Sequence, residues 1–385
     1  MSREVAIHGV GTSLFGKQPH LHPSELVWAA VSEALADAVV DASAIEAVYV
    51  GTVFGAPGVA QRALHHLGIT GVPIITVENA CASGTTAAHE AAYSVGAGRF
   101  ERVLAVGVEK MTDNFAGAIH PETTDPEGRS GMALPSLYAM AASRYQALHG
   151  VTDADLALVA VKNHAHAVGN PRAAHRTPHT VEEVLASRMI ADPLTLLQCC
   201  PVSDGAGAAV FGTTEFGTGR QVTVRASVLR SGHLWDQCSE HVWGYEVIRD
   251  TAAQAYRQAG IEPVDLDVIE CHDAFTIGEI VTTEALGLAV EGQGHLLLRA
   301  GETCIGGRVA VNPSGGLLSR GHPLGATGLA QLAEIVWQLR GEAGDRQVAA
   351  PHYGLVETMG GGVAGIDGNA CVVMILEAPP VLAAG

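Results

Sequence analysis

Positive charge is scarce in this sequence of 385 residues. It holds 22 lysines and arginines against 40 aspartates and glutamates, a formal net charge of −18 at pH 7. Nucleic-acid-binding and membrane-surface proteins carry basic patches, so this balance argues against both classes. Charged residues make up only 16% of the chain and hydrophobic residues 48%, the opposite of a disordered composition. We therefore expect a folded protein with a substantial core.

Long apolar runs and ordered cysteine spacing are also missing. No stretch of about 18 apolar residues occurs, and the first residues, MSREVAIH, contain no apolar signal segment. The seven cysteines show no regular spacing, which disfavours a disulfide framework. Neither H-E-x-x-H nor C-x-x-C occurs, so we expect no metal site. These absences predict a reduced, cytoplasmic protein that binds neither membrane nor nucleic acid.

Short apolar strands alternate with helical segments along the chain. Strands are predicted at Glu4–His8, Ala47–Val50, Pro73–Val77, Arg102–Val108, Gln221–Leu229 and Leu266–Cys271, and helices at Pro23–Ala36, Thr251–Ala259 and Leu324–Leu339. This alternation predicts the α/β class, with largely parallel sheets covered by helices. Glycine is abundant, at 46 residues, and serves tight turns and close backbone approaches.

Two stretches of the chain are similar to each other. CCPVSDGAGAAVFG contains Asp204, and GGGVAGIDGNACVVMILE contains Asp367 in the same setting. Upstream of each lies a glycine-rich turn that leads into a helix of small residues; the first carries Cys81 and the second carries His322. Cys81 and Asp204 are much farther apart in the sequence than His322 and Asp367. We therefore infer two similar halves, 1–217 and 218–385, with a loop domain inserted in the first half at about 111–191.

Three residues lie where reactive groups are often found. Cys81 precedes a helix, whose N-terminus lowers the pKa of a thiol. His322, in SRGHPLGATG, occupies the corresponding place in the second half, and a histidine is the usual partner that activates a cysteine. His272 follows a buried strand, where α/β sheets bind ligands. Each residue alone is also compatible with a structural role: an inert buried thiol, a loop histidine and a capping histidine. We expect Asp273 to be a helix N-cap.

The remaining candidates are less specific. Gly360, Gly361 and Gly362 precede a strand and could direct N–H groups into a cleft, as an oxyanion hole requires, or could form a plain turn. We expect Cys199, Cys200 and Cys371 to pack in the core as small hydrophobic residues. The histidines of the insertion are expected at the surface: His164, His166, His175 and His179.

Taken together, the motifs resemble those of the thiolase superfamily. NACASG at 79–84, CHDAF at 271–275, VNPSGGLLSRGHPLGATG at 311–328 and MGGG at 359–362 occur in order over nearly the whole chain. CCPVSDGA and RVLAVGVEKM fit as well, and HDAF is similar to the sterol-carrier or lipid-transfer branch. The resemblance implies two βαβαβαββ halves with an inserted loop domain, thioester chemistry on coenzyme A substrates, and a homodimer or homotetramer.

The resemblance also implies roles for individual residues. Cys81 would be the acylated nucleophile, His322 its base, and His272 a partner of the enolate oxygen. The amides of Cys81 and of Gly360–Gly362 would stabilise the oxyanion. Coenzyme A would be a substrate, with no bound cofactor.

One position departs from the family pattern. Thiolases usually place a second cysteine at one of two positions, which here are Met359 and Ala274. The acid or base that serves the enolate is therefore open between His272, His322, Cys304 and Cys371.

The predicted function is a 3-oxoacyl-CoA thiolase, or a related acyl-CoA C-acyltransferase, that uses a Cys81 thioester. The alternatives are a retro-aldol acyl-CoA side-chain lyase on the same fold and a non-catalytic acyl-CoA-binding subunit. The pattern also resembles thiolases that work beside a small zinc-ribbon/OB-fold subunit, so such a partner is a candidate. A chain of this net charge needs a local basic patch to bind polyanionic coenzyme A. Arg230, Arg320 and Ser314 are the candidate contacts.

Overall fold

The computed structural model describes residues 3–120, 122–216, 219–236 and 238–379, with the side chain of Phe216 excepted. The described residues form twelve strands and twelve α-helices. The strands are β1 Val5–Thr12, β2 Ala47–Gly51, β3 Ile74–Val77, β4 Arg102–Lys110, β5 Met189–Ala191, β6 Leu194–Thr195, β7 Asp204–Thr213, β8 Val222–Arg230, β9 Val268–Glu270, β10 Ala310–Val311, β11 Tyr353–Gly360 and β12 Ala370–Glu377. The helices are α1 Pro23–Ala38, α2 Val59–Leu64, α3 Ser83–Gly96, α4 Pro126–Arg129, α5 Leu134–His149, α6 Asp153–Ala167, α7 Val181–Ala186, α8 Tyr245–Ala259, α9 Thr276–Ala285, α10 Gly294–Arg299, α11 Gly316–Arg320 and α12 Leu324–Arg340.

Ten strands form one sheet with an internal symmetry. Their order is β10-β9-β11-β12-β8-β1-β7-β4-β2-β3, while β5 and β6 form a separate pair. Read outward from the centre, β1-β7-β4-β2-β3 has the same chain order as β8-β12-β11-β9-β10. The two sets meet where β1 and β8 pair antiparallel, with Ala6 opposite Thr223. This topology confirms the two expected βαβαβαββ units, while the boundary between 217 and 218 stays a prediction.

The sheet is mixed, so the expectation of largely parallel sheets is wrong. β2 runs parallel to β3 and β4, and β9 runs parallel to β10 and β11. β7 and β12, however, are antiparallel to both of their neighbours. The cause is clear at β12, which follows β11 without a helical crossover and must therefore run back along it.

The predicted elements are all present, with shifted bounds. α8 begins at Tyr245 rather than Thr251, and β9 covers only the centre of its predicted span. All seven cysteines are free; Cys371 is fully buried, whereas Cys199 and Cys200 are only partly buried. No helix among the described residues is long and apolar enough to cross a bilayer.

The segment between β4 and β7 holds α4 to α7 with β5 and β6, as expected for the insertion. Two of its histidines are not at the surface, because α6 packs against α9 and α11 of the second half. His164 and His166 are buried there. His166 is held through both ring nitrogens, by the carbonyl of Asn312 at 3.0 Å and the N–H of Ile305 at 3.2 Å. The surface prediction is therefore wrong for these two residues, whereas His175 is exposed and His179 half-buried.

Helices α3 and α12 cross in direct contact at the centre of the molecule. α12 contacts strands of both halves, and α3 packs on β2 and β4. A Cβ on Gly328 would lie 2.4 Å from the amide nitrogen of Thr85, and one on Gly84 would lie 2.5 Å from the carbonyl oxygen of Gly325. No side chain can occupy that space, so glycine is required where the helices touch.

We therefore expect Gly328→Ala to destabilise the fold. The added methyl group must push α12 away from α3, and overpacking of this kind costs about 1–3 kcal/mol. Gly117→Ala is the matched control, because Gly117 is exposed and a Cβ there meets no atom within 4 Å. Urea unfolding should show a lower midpoint for the first variant and a change below about 0.5 kcal/mol for the second. Equal midpoints would contradict the close crossing.

Candidate active site

Cys81 lies in a tight turn between β3 and α3. The hydroxyl of Ser83 accepts the N–H of Asn79 at 2.9 Å and donates to the carbonyl of Ala80 at 2.6 Å. Ala80 has a positive φ of 48°, so the turn is sharp. A Cβ on Gly360 would lie 2.1 Å from the carbonyl oxygen of Asn79, so β11 approaches this turn closely. These contacts hold the sulfur in place, with 8% of Cys81 exposed.

His322 lies immediately before α12, and hydrogen bonds fix its ring. Its Nδ1 lies 2.7 Å from the hydroxyl of Thr327, and that hydroxyl donates to the carbonyl of Pro323 at 3.0 Å. The hydroxyl therefore accepts a hydrogen bond from Nδ1–H, which assigns the tautomer and leaves a lone pair on Nε2. Burial, and then the charge of His272, holds the pKa of His322 well below its ordinary value. A neutral His322 can act as a base.

His272 completes a cluster with the other two predicted residues. Its Nε2 lies 3.4 Å from Nε2 of His322, and its backbone N–H donates to Oε2 of Glu357 at 2.9 Å. Burial lowers the pKa of His272 to about 3, so this ring is also neutral. One donor atom from each of Cys81, His272 and His322 lies within 4.8 Å of the other two. A thiol and two imidazoles could also hold a metal ion such as zinc, although the sequence predicts none.

The thiol of Cys81 is not the acidic group that its position suggests. Burial raises its pKa to about 12, although the backbone N–H groups of Cys81 and Gly361 lower it. The reason is that Ala82 is the N-cap of α3, so the sulfur lies outside the first turn in a dry environment. The expected lowering by the helix is therefore wrong. The resting group is a thiol, and it needs a base such as His322 to ionise.

The glycine run at the end of β11 fits the role of an oxyanion loop. Gly361 directs its N–H at the sulfur of Cys81, as the effect on the thiol pKa shows. A Cβ on Gly361 would lie 2.4 Å from the ring of Trp243, so only glycine fits between that ring and the site. Gly360 ends β11, and Gly362 has a positive φ of 123°. Two N–H groups that meet at one point suit a developing oxyanion, and this role stays a prediction.

A buried carboxylate that the sequence reasoning missed joins the two halves beside the site. Glu109, near the end of β4, accepts the N–H groups of Val53 at 2.8 Å, Phe54 at 3.0 Å and Gly325 at 3.1 Å. The first two belong to the first half and the third to the first turn of α12. The sequence feature that indicates this role is an acidic residue at the end of the apolar run RVLAVGVEK, because a buried charge is costly unless it is hydrogen-bonded.

A second buried carboxylate binds two of the three proposed coenzyme A contacts, which disfavours that role for them. Glu270 accepts the N–H and the hydroxyl of Ser314, at 2.9 and 2.8 Å, and pairs with Arg320 at 3.1 Å. Both partners are buried, so neither is available to a phosphate. Arg230 lies at the end of β8, half-buried and 3.5 Å from the side chain of Gln254.

Asp273 caps a different helix from the expected one. Its Oδ1 accepts the N–H of Leu317 at 2.7 Å, in the first turn of α11. The helix that follows it in sequence, α9, begins after Phe275 without a side-chain cap. The short loop brings Asp273 towards α11, and this contact cannot be seen from local sequence.

A small apolar pocket opens beside His272. Its walls come mainly from α5, α8, α9 and β11. The lining includes Tyr138, Trp243, Ile248, Ile277, Val281 and Met359. This lining favours an apolar group over a polar one next to the cluster.

Comparison with known proteins agrees with this architecture. The model of the thiolase N-terminal domain matches residues 9–215, and that of the thiolase C-terminal domain-like family matches residues 233–377. The chain belongs to the thiolase family. This confirms the resemblance seen in the motifs and the expected fold.

Several relatives cover almost the whole chain. An acetyl-CoA acetyltransferase of Methanothermobacter thermautotrophicus is 40% identical over 93% of this chain and 97% of its own. Benzoylsuccinyl-CoA thiolase subunit BbsB of Thauera aromatica is 38% identical over 94% and 96%. Sterol carrier protein 2 of Oryctolagus cuniculus is 38% identical over 94% of this chain and 71% of its own. Among solved structures, the Ltp2-ChsH2(DUF35) aldolase superposes with a TM-score of 0.84 at 26% identity, covering 98% and 99% of the two chains.

The high pKa of the thiol has a direct consequence for its reactivity. Because only the thiolate reacts, we expect the rate of Cys81 alkylation by iodoacetamide to rise about tenfold per pH unit from pH 7 to 10. Mass spectrometry of the Cys81 peptide, followed over time, measures this rate apart from the exposed Cys238. A plateau near neutral pH would contradict the result, because it would indicate a resting thiolate–imidazolium pair.

Proposed function

We propose that this chain is a 3-oxoacyl-CoA thiolase, or a closely related acyl-CoA C-acyltransferase, that works through an acyl thioester on Cys81. The observation that carries the proposal is the cluster itself. A buried thiol, two neutral imidazoles and two converging N–H groups meet at one point. Each of these groups has a task in carbon–carbon cleavage by a thiol.

The first half-reaction begins when Nε2 of His322 takes the proton of Cys81. The thiolate attacks the 3-oxo carbon, and the N–H groups of Cys81 and Gly361 stabilise the oxyanion. The bond between C2 and C3 breaks and leaves an acyl group on the sulfur. The departing electron pair forms the enolate of a shorter acyl-CoA, whose oxygen accepts a hydrogen bond from His272.

The second half-reaction transfers the acyl group. Free coenzyme A attacks the thioester, a second acyl-CoA forms, and Cys81 recovers its proton from His322. Because both imidazoles are neutral at rest, His322 can accept and return this proton within one cycle. Coenzyme A is thus a substrate in the proposed reaction and not a resident cofactor.

The acyl group that remains on Cys81 would occupy the apolar cavity beside His272. The cavity walls favour a hydrocarbon or aromatic group over a polar one. The family includes a relative named for acetyl-CoA and one named for benzoylsuccinyl-CoA, so the acyl group varies among similar chains.

A retro-aldol lyase is the second candidate, favoured by the similarity to a structure named an aldolase. Such a lyase needs no acylated cysteine and consumes no coenzyme A. The bonded, neutral His322 beside Cys81 favours acyl transfer instead. An assay without free coenzyme A separates the two, because only the lyase would turn over. A non-catalytic subunit would show neither reaction.

We also propose that the protein assembles, as a homodimer or homotetramer in the cytoplasm. β3 is an edge strand whose apolar residues are only partly covered, and Tyr93 on the adjacent α3 is 61% exposed. An exposed edge with apolar neighbours is a natural docking surface. A small zinc-ribbon/OB-fold partner remains a further candidate, since the similar aldolase structure is named with a DUF35 component.

The acyl-enzyme gives the decisive test. Incubation with a 3-oxoacyl-CoA should add the mass of the acyl group to the Cys81 peptide of the natural chain. Cys81→Ala should lose both the adduct and turnover while its unfolding midpoint stays near that of the natural chain. Cys371→Ala is the control, because that thiol is buried next to Glu357 and is not part of the cluster.

Two results would count against the acyl-enzyme. One is a natural chain that cleaves substrate without ever forming an adduct on Cys81. The other is turnover that survives in Cys81→Ala. Either would place the chemistry elsewhere.

A further inference from the structure

The proposed reaction contains a proton transfer for which the cluster has no free group. When the bond to C3 breaks, C2 of the enolate must gain a proton. His322 then holds the proton of Cys81, and His272 faces the enolate oxygen. A third group must therefore stand on the cavity side of the cluster.

We propose that Tyr138 is this further catalytic residue: its hydroxyl contacts the bound acyl-CoA and donates the proton to C2 of the enolate. The inference rests on the proposed function. Tyr138 lies on α5, inside the inserted segment, and lines the same cavity as His272.

The ring of Tyr138 is held firmly by aromatic neighbours. It stacks on Phe275 with ring centroids 4.3 Å apart and an interplanar angle of 30°. It also meets Trp243 edge-on, with centroids 5.4 Å apart. Phe275 is three residues beyond His272, and Trp243 touches the Gly361 loop. The ring is thus fixed to both sides of the site, which is what a positioned acid needs.

The hydroxyl of Tyr138 differs from those of the other buried tyrosines. Four tyrosines are buried, and three of them bond through the hydroxyl: Tyr49 with Ser94, Tyr145 with Glu284, and Tyr256 with the carbonyl of Leu286. Tyr138 makes no hydrogen bond with any residue that the structure describes, although only 8% of it is exposed. Buried tyrosine hydroxyls usually find a partner, so this one is available to a ligand.

The groups around the hydroxyl keep it protonated. Burial, and then the charges of Cys81, Cys200 and Glu357, raise the pKa of Tyr138 well above its usual value. Such a phenol keeps its proton until it meets a strong base, and a thioester enolate carbon is one.

The proton balance closes over one cycle. Tyr138 gives its proton to C2 and becomes a phenolate, and the first product, the shortened acyl-CoA, is released. The incoming coenzyme A thiol then returns a proton to the phenolate and attacks the Cys81 thioester as a thiolate. His322 meanwhile restores the proton of Cys81.

Two neighbours are the rival acids. Glu357 is occupied, because one oxygen accepts the N–H of His272 and the other lies 3.8 Å from the sulfur of Cys371. Cys200 is partly buried, and its N–H bonds to the carbonyl of Ala274 at 2.9 Å. Cys200 is therefore included in the test.

The test deletes the hydroxyl of Tyr138 and measures proton exchange at C2 of acetyl-CoA. Tyr138→Phe preserves the stack on Phe275 and deletes only the hydroxyl. In D₂O, exchange of the C2 hydrogens of acetyl-CoA, followed by NMR, should fall about 100-fold or more, in the range expected for loss of general acid–base catalysis. Acylation of Cys81, read as an added mass, should persist. Tyr256→Phe is the matched control, since its hydroxyl bonds far from the cluster, and its exchange rate should match the natural chain.

The outcomes are distinct. If Tyr138→Phe exchanges within about twofold of the natural chain at an unchanged unfolding midpoint, the proposal is wrong. If Cys200→Ala alone loses exchange, the thiol is the acid and the proposal is equally wrong. Loss of exchange in Tyr138→Phe together with retained Cys81 adduct supports it. A natural chain that forms no adduct at all would overturn the proposed function first, and this role with it.

Discussion

The contact between α3 and α12 determines where reactive groups can lie in this molecule. Ordinary helix pairs keep their axes about 8–10 Å apart because side chains intervene. Here Gly84 and Gly328 leave no side chain between the backbones. Cys81 precedes one helix and His322 the other, so the same contact that closes the core also brings sulfur and imidazole together. The sulfur comes from the first half and both imidazoles come from the second.

Electrostatically, the site is dry and nearly neutral at rest. Burial is the main cause that keeps the thiol protonated and the two imidazoles neutral. The surrounding carboxylates are held by backbone N–H groups and by Arg320, and they serve the loops rather than the chemistry. The N–H groups of Cys81 and Gly361 are directed at the sulfur in this resting state.

The periodicity of apolar residues and the order of the motifs were enough to predict the strands and helices that build the site. Apolar runs located the strands, and the repeated glycine turn located both helices that meet at the site. Prediction from the sequence failed where the answer depends on contacts distant in sequence. His166 looks like a surface residue because its partner Asn312 is far along the chain. Arg320 looks available for phosphate because Glu270 is invisible locally. The pKa of Cys81 followed burial rather than the nearby helix, and no local pattern reports burial.

The surroundings of Tyr138 also could not be predicted from the local sequence. Nothing in LPSLYAMAAS distinguishes this tyrosine from Tyr145 on the same helix, since both face inward. What separates them is the surroundings of the side chain: the hydroxyl of Tyr145 bonds to Glu284, whereas Tyr138 lines the pocket beside His272.

The carboxylate of Glu109 also constrains how the chain reaches its final structure. Two of its N–H donors are made early in synthesis, but the third, Gly325, emerges much later. The third donor comes from the second half, and a typical hydrogen bond contributes about 0.5–1.5 kcal/mol to stability. The interior of the first repeat is therefore completed by a residue of the second, which couples the stability of the two repeats.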